Sequence, residues 1–197
     1  MHNQKETDML DAKAKEIVNG IDDKMQEAVM FLEEDLKTYR LGKANPSVFN
    51  NVVANYYGTP TPIPQMASVS APDAKTLAIQ PWDKGMIKII EKAIIDANLG
   101  LTPQNNGEII RCTVPALTEE RRKDLVKKAK ASGENAKVVV RNARREAIDM
   151  LKKAEKNDGM SEDTEKEAED EVQKVTDKNI KAIDDLVAAK EKEILTV

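Results

Sequence analysis

Proline placement is the strongest constraint that this 197-residue sequence puts on its fold. All eight prolines lie between residues 46 and 115. Proline has no amide hydrogen and its ring clashes with the preceding helical turn, so it is excluded from helix interiors. The segments before and after this window can therefore form long, uninterrupted helices, whereas the window itself cannot. The sequence thus predicts helical flanks around a middle of different structure.

Apolar residues in the flanks recur at alternating steps of three and four, which places one side chain per turn on a single helix face. The first series is Val18, Ile21, Met25, Ala28, Leu32, Leu36 and Tyr39. The second series is Leu125, Ala129, Ser132, Ala136, Val139, Ala143 and Ala147. The third series is Ala168, Val172, Val175, Ile183, Leu186, the stem of Lys190, and Ile194. Because such narrow stripes do not stabilise single helices in water, we expect a three-helix bundle.

Two positions carry helix-boundary signals. Thr118 precedes Glu119 and Glu120, and a hydroxyl ahead of acidic residues is typical of a helix N-cap. The second apolar series is interrupted at residues 157–159, and Ser161 can begin the next helix. These signals separate the second and third predicted helices.

The middle window has short β-type runs at residues 52–57, 67–70, 76–80 and 109–113. Turn-forming sequences bound them at residues 58–62, 71–73 and 105–107. Between residues 86 and 97, charged residues lie opposite an apolar face, which predicts one amphipathic helix. The apolar face consists of Ile87, Ile90, Ile94 and Ile95.

These patterns predict an α+β fold, in which an elongated three-helix bundle carries a small β/α/β domain between its first and second helices. The bundle is assigned to residues 1–43 and 117–197, and the inserted domain to residues 44–116. Because two linkers restrict the domains to a limited rotation, we predict that the linkers form a hinge. The hinge residues are Gly42, Lys43, Ala44, Asn45 and Pro46 in the first linker, and Val114, Pro115, Ala116 and Leu117 in the second.

Composition excludes several catalytic classes, since Cys112 is the only cysteine and His2 the only histidine. Disulfides, cysteine-based zinc sites and HExxH sites need more of these residues. Ser-His-Asp and Cys-His catalysis need a well-positioned histidine, and we expect His2 to lie at a frayed end. Glycine-rich phosphate loops are also missing. We predict a monomer that is not an enzyme and needs neither cofactor nor metal. Without a signal peptide or a membrane-length apolar run, we also predict a cytoplasmic protein that does not contact membranes.

Structural roles are predicted for the remaining residues of chemical interest. Cys112 lies in a predicted strand and is interpreted as an inert, small hydrophobic residue. Tyr56, Tyr57 and Trp82 are interpreted as aromatic residues of the core or of a sheet face rather than as stacking platforms.

The formal net charge of -4 is distributed unevenly along the chain. Residues 119–156 carry 13 basic and 7 acidic residues, a net charge of +6. Residues 1–43, 44–118 and 157–197 carry net charges of -3, 0 and -7. The second predicted helix is therefore a basic rod in an acidic protein.

Seven basic residues of this helix fall within an arc of about 100° beside the apolar stripe. They are Lys123, Lys127, Lys130, Lys137, Arg141, Arg144 and Arg145. The arc is long enough to contact several phosphates of a nucleic acid, which favours RNA binding. Charge runs on helices are more often solvated or paired, so pairing with the acidic third helix remains an alternative. Arg144 lies nearest the core, where a salt bridge is an alternative role for it.

Three segments resemble the bacterial-type ribosome recycling factor family. They are Tyr56-Tyr57-Gly58-Thr59-Pro60-Thr61-Pro62, Leu117-Thr118-Glu119-Glu120-Arg121-Arg122-Lys123 and Val140-Arg141-Asn142-Ala143-Arg144-Arg145. Their order and spacing also agree, and the likeness covers nearly the whole chain. The predicted bundle with its inserted module is similar to the family's L-shaped fold.

The resemblance implies a protein that binds the post-termination ribosome and, with elongation factor G and GTP, splits it into subunits, releasing mRNA and tRNA. It further implies that the bundle lies against RNA of the large ribosomal subunit. Matched by position, Arg141, Arg144 and Arg145 correspond to the family's RNA-contacting motif. Arg40 and Gly42 match a second shared segment, and we count Arg40 among the ribosome-binding residues.

Two other functions remain open from the sequence. The first is a coiled-coil-like scaffold whose inserted module binds another protein. The second is an enzyme that relies on carboxylates and lysines alone for acid–base chemistry.

Overall fold

The structure is a computed structural model that describes the backbone of residues 2–197 and the side chains from residue 4 onwards. The side chain of His2 therefore lies outside the described residues. Within this range the chain forms two compact units. One contains residues up to Tyr39 together with Arg122–Thr196, and the other contains Arg40–Arg121. The predicted α+β class, with long helices and a small β-containing domain, is confirmed.

The first unit is built from three long helices, within the described range. They are α1 (His2–Lys37), α3 (Glu119–Asp158) and α4 (Glu162–Thr196). Their apolar stripes meet in a common core that contains Met25 and Leu32 of α1, Leu125 and Leu151 of α3, and Ile183 of α4. The three-and-four spacing therefore located the buried face of each helix.

The stripe of α3 differs from the prediction at two positions, residues 132 and 139. Val139 is 45% exposed, whereas Val140 is fully buried. Gly133 is also buried, and a Cβ atom built on it would lie 2.5 Å from Cγ2 of Val187. Because valine is stiff at χ1, α3 can approach α4 this closely only where α3 lacks a side chain. The prediction had placed Ser132, which is half-buried, on this part of the face.

The predicted helix boundaries are confirmed. The hydroxyl of Thr118 accepts a hydrogen bond from the Arg121 amide at 3.1 Å, which caps α3. At its other end α3 stops at Asp158, and Gly159 follows with a φ of 79°. The Ser161 hydroxyl then accepts a hydrogen bond from the Thr164 amide at 3.0 Å and caps α4.

Two polar residues of α4 are buried in the bundle and were not predicted. The Thr176 hydroxyl donates to the Val172 carbonyl at 2.7 Å. The Asn179 side-chain amide donates to the Val175 carbonyl at 2.8 Å and to the Asp22 carboxylate at 3.1 Å. Because both side chains are hydrogen-bonded, their burial does not leave an unsatisfied polar group.

The second unit combines a hairpin, a four-stranded antiparallel sheet and one helix, within the described range. The hairpin is β1 (Val53–Tyr56) paired with β2 (Thr59–Pro62). The sheet has the order β3-β4-β6-β5. Its strands and the helix are β3 (Ala67–Asp73), β4 (Thr76–Pro81), β5 (Thr102–Asn105), β6 (Ile110–Thr113) and α2 (Ile87–Asp96). Their shared core includes Phe49, Ile63, Ile79, Ile90 and Ile110.

Two predicted turns are wrong, and two strands, β2 and β5, lie outside the predicted runs. Residues 59–62 form β2, and residues 71–73 continue β3. Prolines usually indicate the end of a strand, which explains the error. A strand at the edge of a sheet nevertheless tolerates proline at positions whose backbone N–H would point away from the neighbouring strand. β5 also contains a proline, Pro103, and lacks β-branched residues after Thr102, so it gave no strand signal.

For two aromatic residues the structure excludes one of the predicted alternatives, a place in the core. Trp82 is 69% exposed and Tyr57 is 73% exposed, so neither belongs to the core. The Tyr57 hydroxyl donates to the Asp83 carboxylate at 2.7 Å. This bond lowers the pKa of the Asp83 carboxyl and raises the pKa of Tyr57. On α2, Ile95 is 59% exposed and not part of the apolar face, whereas Ile87, Ile90 and Ile94 are buried as predicted.

Candidate nucleic-acid interface

The predicted basic arc runs along α3, a helix of 40 residues. At 1.5 Å per residue, the helix is about 60 Å long. The arc borders the buried stripe on the side that packs against α4, so its members lie at different distances from α4. Contacts divide the seven residues into two rows.

The inner row consists of Lys130, Lys137 and Arg144, which contact α4. Lys130 pairs with Glu191 at 3.2 Å. Lys137 pairs with Asp184 at 2.5 Å, and Nε of Arg144 donates to the side-chain oxygen of Gln173 at 2.8 Å. The alternative of pairing with the acidic third helix thus describes this row, although the partner of Arg144 is an amide rather than a carboxylate.

Lys137 is largely enclosed, with 17% of its side chain exposed. It also pairs with Glu134 at 3.4 Å, the acidic residue that lies within the arc. Its hydrogen bond to Asp184 and the charges of both carboxylates raise the pKa of the Lys137 ammonium. Lys137 is therefore held in its charged form by the bundle itself.

The outer row consists of Lys123, Lys127, Arg141 and Arg145. All four side chains are exposed, and none makes an ion pair or hydrogen bond with residues 4–197. Four cations on one face of one helix, without internal partners, can attract phosphate groups at little desolvation cost. Arginine also offers two parallel donors to a phosphate, which lysine does not.

The opposite flank of α3 carries contacts that the sequence did not reveal. Nζ of Lys128 lies 4.6 Å from the ring centroid of Tyr39. The Tyr39 hydroxyl lies 3.4 Å from the hydroxyl of Ser132, and burial raises the pKa of Tyr39. Beyond them, α1 and α3 enclose a groove of about 540 Å³ that includes Val139 and Phe31, which is 78% exposed. The sequence does not predict that Phe31 is exposed, because Phe31 and the buried Leu32 are adjacent apolar residues.

Arg40 lies in the other unit and is not a member of the α3 arc. Its side chain is exposed, and Nη1 donates to the Leu99 carbonyl at 3.3 Å. This bond occupies one of the five donors of the guanidinium group.

The predicted hinge residues all fall within the Arg40–Arg121 unit. Gly42 has a φ of 72°, and a Cβ atom built on it would lie 2.9 Å from the Leu117 amide nitrogen and 3.1 Å from the Pro115 carbonyl oxygen. The two linkers therefore lie against each other at this point. Any side chain at position 42 would be strained by its backbone conformation and would also collide with the second linker.

Three other linker residues are hydrogen-bonded within the inserted unit. The Ala44 amide donates to the Ala74 carbonyl, and the Val114 amide donates to the Lys75 carbonyl, both at 2.8 Å. The Asn45 side chain caps the short 3₁₀ helix that starts at Pro46, accepting from the Ser47 amide at 3.0 Å. Both linkers thus enter the sheet at the turn between β3 and β4.

Among the described residues, no cluster of histidine, cysteine, aspartate and glutamate could hold a metal ion. Cys112 is fully buried, and burial raises the pKa of its thiol to about 11. A neutral, enclosed thiol is a poor nucleophile. In the same range, no helix is apolar enough over a sufficient length to cross a membrane.

Comparison with known proteins identifies the family. Residues 32–195 match the family model described as ribosome recycling factor. The ribosome-recycling factor of Parabacteroides distasonis is 54% identical over 183 residues, which cover 93% of this chain and 98% of that protein. The ribosome-recycling factor of Caldicellulosiruptor saccharolyticus is 52% identical over 176 residues, which cover 89% and 96%.

Solved structures agree with this assignment. A solution structure of a ribosome recycling factor matches with a TM-score of 0.69 and 39% identity, over 94% of this chain and 98% of that one. A second match is the T. thermophilus ribosome recycling factor, described together with E. coli elongation factor G bound to the E. coli post-termination complex. It has a TM-score of 0.55 and 46% identity, over 92% of this chain and 98% of that one. The chain belongs to the ribosome recycling factor family.

Proposed function

We propose that this protein binds the post-termination ribosome and, together with elongation factor G and GTP, splits it into subunits, so that mRNA and tRNA are released. Membership of the ribosome recycling factor family supports the proposal. It is also supported by the relative whose structure is described with elongation factor G on the post-termination complex. The protein would carry out this work in the cytoplasm, as a monomer.

The outer row on α3 is the observation that carries the RNA-binding part of this proposal. Lys123, Lys127, Arg141 and Arg145 present unpaired charge along one helix face, which suits the phosphate backbone of large-subunit RNA. Helical RNA is recognised largely through its backbone and shape. The inner row, with Lys130, Lys137 and Arg144, would add positive potential while keeping α3 against α4. Arg40 would contact RNA from the inserted unit.

The splitting step would depend on position rather than on chemistry in this chain. Its sequence has no nucleotide-binding loop, so the free energy would come from GTP hydrolysis by elongation factor G. Of the two linkers, Ala44, Asn45 and Val114 are hydrogen-bonded within the inserted unit. Rotation would then concentrate at Gly42 and Lys43 and at residues 115–117. Such a hinge would convert movement of the GTPase into displacement of RNA contacts.

The decisive experiment measures subunit splitting directly. Purified post-termination ribosomes are mixed with elongation factor G and GTP, with and without this protein, and light scattering follows dissociation. We expect dissociation only when all three components are present, and no turnover with a non-hydrolysable GTP analogue. Unchanged light scattering with all three components present would overturn the splitting proposal. In a separate measurement, failure of the protein to co-sediment with large subunits would overturn the RNA-binding part.

Single substitutions test which arginines contact RNA. Arg141→Ala removes an exposed cation without an internal partner, so we expect weaker binding to large subunits and unchanged thermal stability. Arg144→Ala removes the bond to Gln173 as well, so its effect separates two roles. If Arg144→Ala lowers the free energy of unfolding by more than about 2 kcal/mol while binding persists, Arg144 is structural.

A further inference from the structure

The β1–β2 hairpin has two outer edges. Its hydrogen-bond pattern determines which backbone N–H and C=O groups point outward at each edge. The Ile63 amide donates to the Val52 carbonyl at 3.0 Å, which makes this a bonded pair. Bonded and non-bonded pairs alternate in an antiparallel ladder. The next pair, Val53 opposite Pro62, is therefore non-bonded, and so is Asn55 opposite Pro60. At these positions the backbone N–H and C=O groups point away from the partner strand.

The two edges consequently differ in their ability to accept another strand. On β2 the outward positions are Pro60 and Pro62, which have no N–H to donate, so this edge is blocked. On β1 the outward positions are Val53 and Asn55, which keep both donor and acceptor. Among residues 2–197, β1 pairs with β2 alone. The hairpin thus has one blocked and one open edge.

A groove of about 820 Å³ lies along the open edge, between β1 and α2. Val53 and Asn55 line it from the strand, and Ile89 and Ala93 supply apolar surface from the helix. Lys92 is exposed on the helix side and makes no ion pair with residues 4–197. The groove therefore combines unpaired backbone groups, an apolar wall and a free cation.

Charge at the groove favours an acidic occupant. Arg40 also lines the groove and keeps donors free beyond its bond to Leu99. Asp96 is the acidic residue in the lining, so the two cations leave a net positive charge. A second copy of this chain would bring the same cations against each other across a β1–β1 pairing, which like-charge repulsion disfavours.

We propose that the open edge of β1 binds an extended, acidic peptide segment of a partner protein by strand addition. The segment adds a third strand to the hairpin, with its backbone hydrogen-bonded to the N–H and C=O groups of Val53 and Asn55. Alternate side chains point to opposite faces of the added strand, so one set faces α2, where apolar members contact Ile89 and Ala93 and a carboxylate in the same set reaches Lys92. The four residues of β1 allow pairing over about 13 Å.

The test uses the whole chain and a blocked hexapeptide with glutamate, valine and glutamate at positions 1, 3 and 5 and threonine at the other positions, so that apolar and acidic side chains share one face. Amide hydrogen exchange, read by NMR, follows the two outward amides. We expect the peptide to slow exchange at Val53 and Asn55 by about tenfold or more, while the inward amides of Ala54 and Tyr56 stay unchanged. The same peptide, N-methylated at alternate residues, cannot complete the ladder and should give no protection.

Val53→Pro is the sharpest variant, because it removes one outward N–H without breaking a bond to β2. We expect it to abolish protection of Asn55 by the peptide, whereas Val53→Ala keeps the N–H and should bind like the wild type. Lys92→Glu should weaken binding about tenfold, and a peptide with lysine in place of glutamate should restore it.

Three results would overturn the proposal: no protection by the hexapeptide, equal binding by Val53→Pro, or equal binding of the N-methylated peptide. Protection that grows with protein concentration alone would assign the edge to self-association and would overturn it as well. Because the edge lies in the inserted unit and subunit splitting is measured separately, none of these outcomes bears on the proposed recycling function.

Discussion

The inner and outer rows of the basic arc lie on the same helix and carry the same charge, yet they make different contacts. Lys130, Lys137 and Arg144 face α4 and are bonded to its side chains. Arg141 and Arg145 lie further round the helix from α4 and make no ion pair or hydrogen bond with residues 4–197. Distance from the neighbouring helix, more than charge or exposure alone, therefore separates the cations that contact other described residues from those that do not.

The two rows also differ energetically. A surface ion pair contributes little to stability, because solvent screens it and two flexible side chains must be ordered. The inner row therefore positions α4 at small net gain. The outer row lacks this small stabilisation. Its cations could, however, bind a phosphate without first breaking an ion pair with residues 4–197. Each row is suited to one task and poorly suited to the other.

The largest expected effect is on affinity for the large ribosomal subunit, when the same number of charges is removed from each row in turn. We expect Arg141→Gln with Arg145→Gln to weaken binding to purified large subunits on the order of 10- to 100-fold, because two phosphate contacts are lost. The slope of log K against log salt concentration should fall by about 2. Co-sedimentation from low to physiological salt measures both quantities.

The matched control is Lys130→Gln with Lys137→Gln, which removes the same charge from the inner row. Its binding should change less than about threefold and its salt slope by less than 1, since these lysines are engaged by Glu191 and Asp184. Equal losses from the two rows would show that RNA senses only the overall potential of α3, and the distinction between the rows would fail.

The free energy of unfolding should depend more on the inner row than on the outer row, the reverse of the order expected for RNA binding. Lys137→Met removes the ion pair with Asp184, so we expect the free energy of unfolding to fall by about 0.5–1 kcal/mol. Arg141→Met removes an equal charge without a partner and should change it by less than about 0.5 kcal/mol. Urea unfolding followed by circular dichroism measures both. A larger loss for Arg141→Met would mean that the outer row has a structural role.

Sequence alone predicted the bundle better than the inserted unit, for a physical reason. A helix stripe depends on a fixed angle per residue, so periodicity located Met25, Leu32 and Leu125 in the core. It misplaced Val139 by one residue, because neighbouring valines at the stripe boundary differ by only 100° and the contact with α4 decides between them. The same arithmetic placed all seven cations on one arc but gave no information about what α4 offers each of them.

The inserted unit depends on pairing between distant strands, which local sequence does not encode. The prolines of β2 suggested a turn, although the ladder places both of them where no amide is needed. Gly42 matched a family segment, but its positive φ and its approach to Leu117 became evident only when both linkers were present in space. Cys112 was the exception, since a lone cysteine in an apolar strand is most often buried, and it is.

The smallest expected effect is the pH dependence of the inner row. Asp184 and Glu134 raise the pKa of Lys137 above its ordinary value of 10.5. A lysine whose pKa is higher in the folded state stabilises the fold fully below its unfolded pKa and loses that contribution as pH rises through the folded pKa. The difference in unfolding free energy between the wild type and Lys137→Met should therefore stay constant from about pH 7 to pH 9 and shrink only above 10.5. Arg141→Met should show no such change, because no carboxylate of residues 4–197 pairs with the outer row. A difference that already declined between pH 7 and pH 9 would assign the stabilising contact to another group and would remove Lys137 from the structural row.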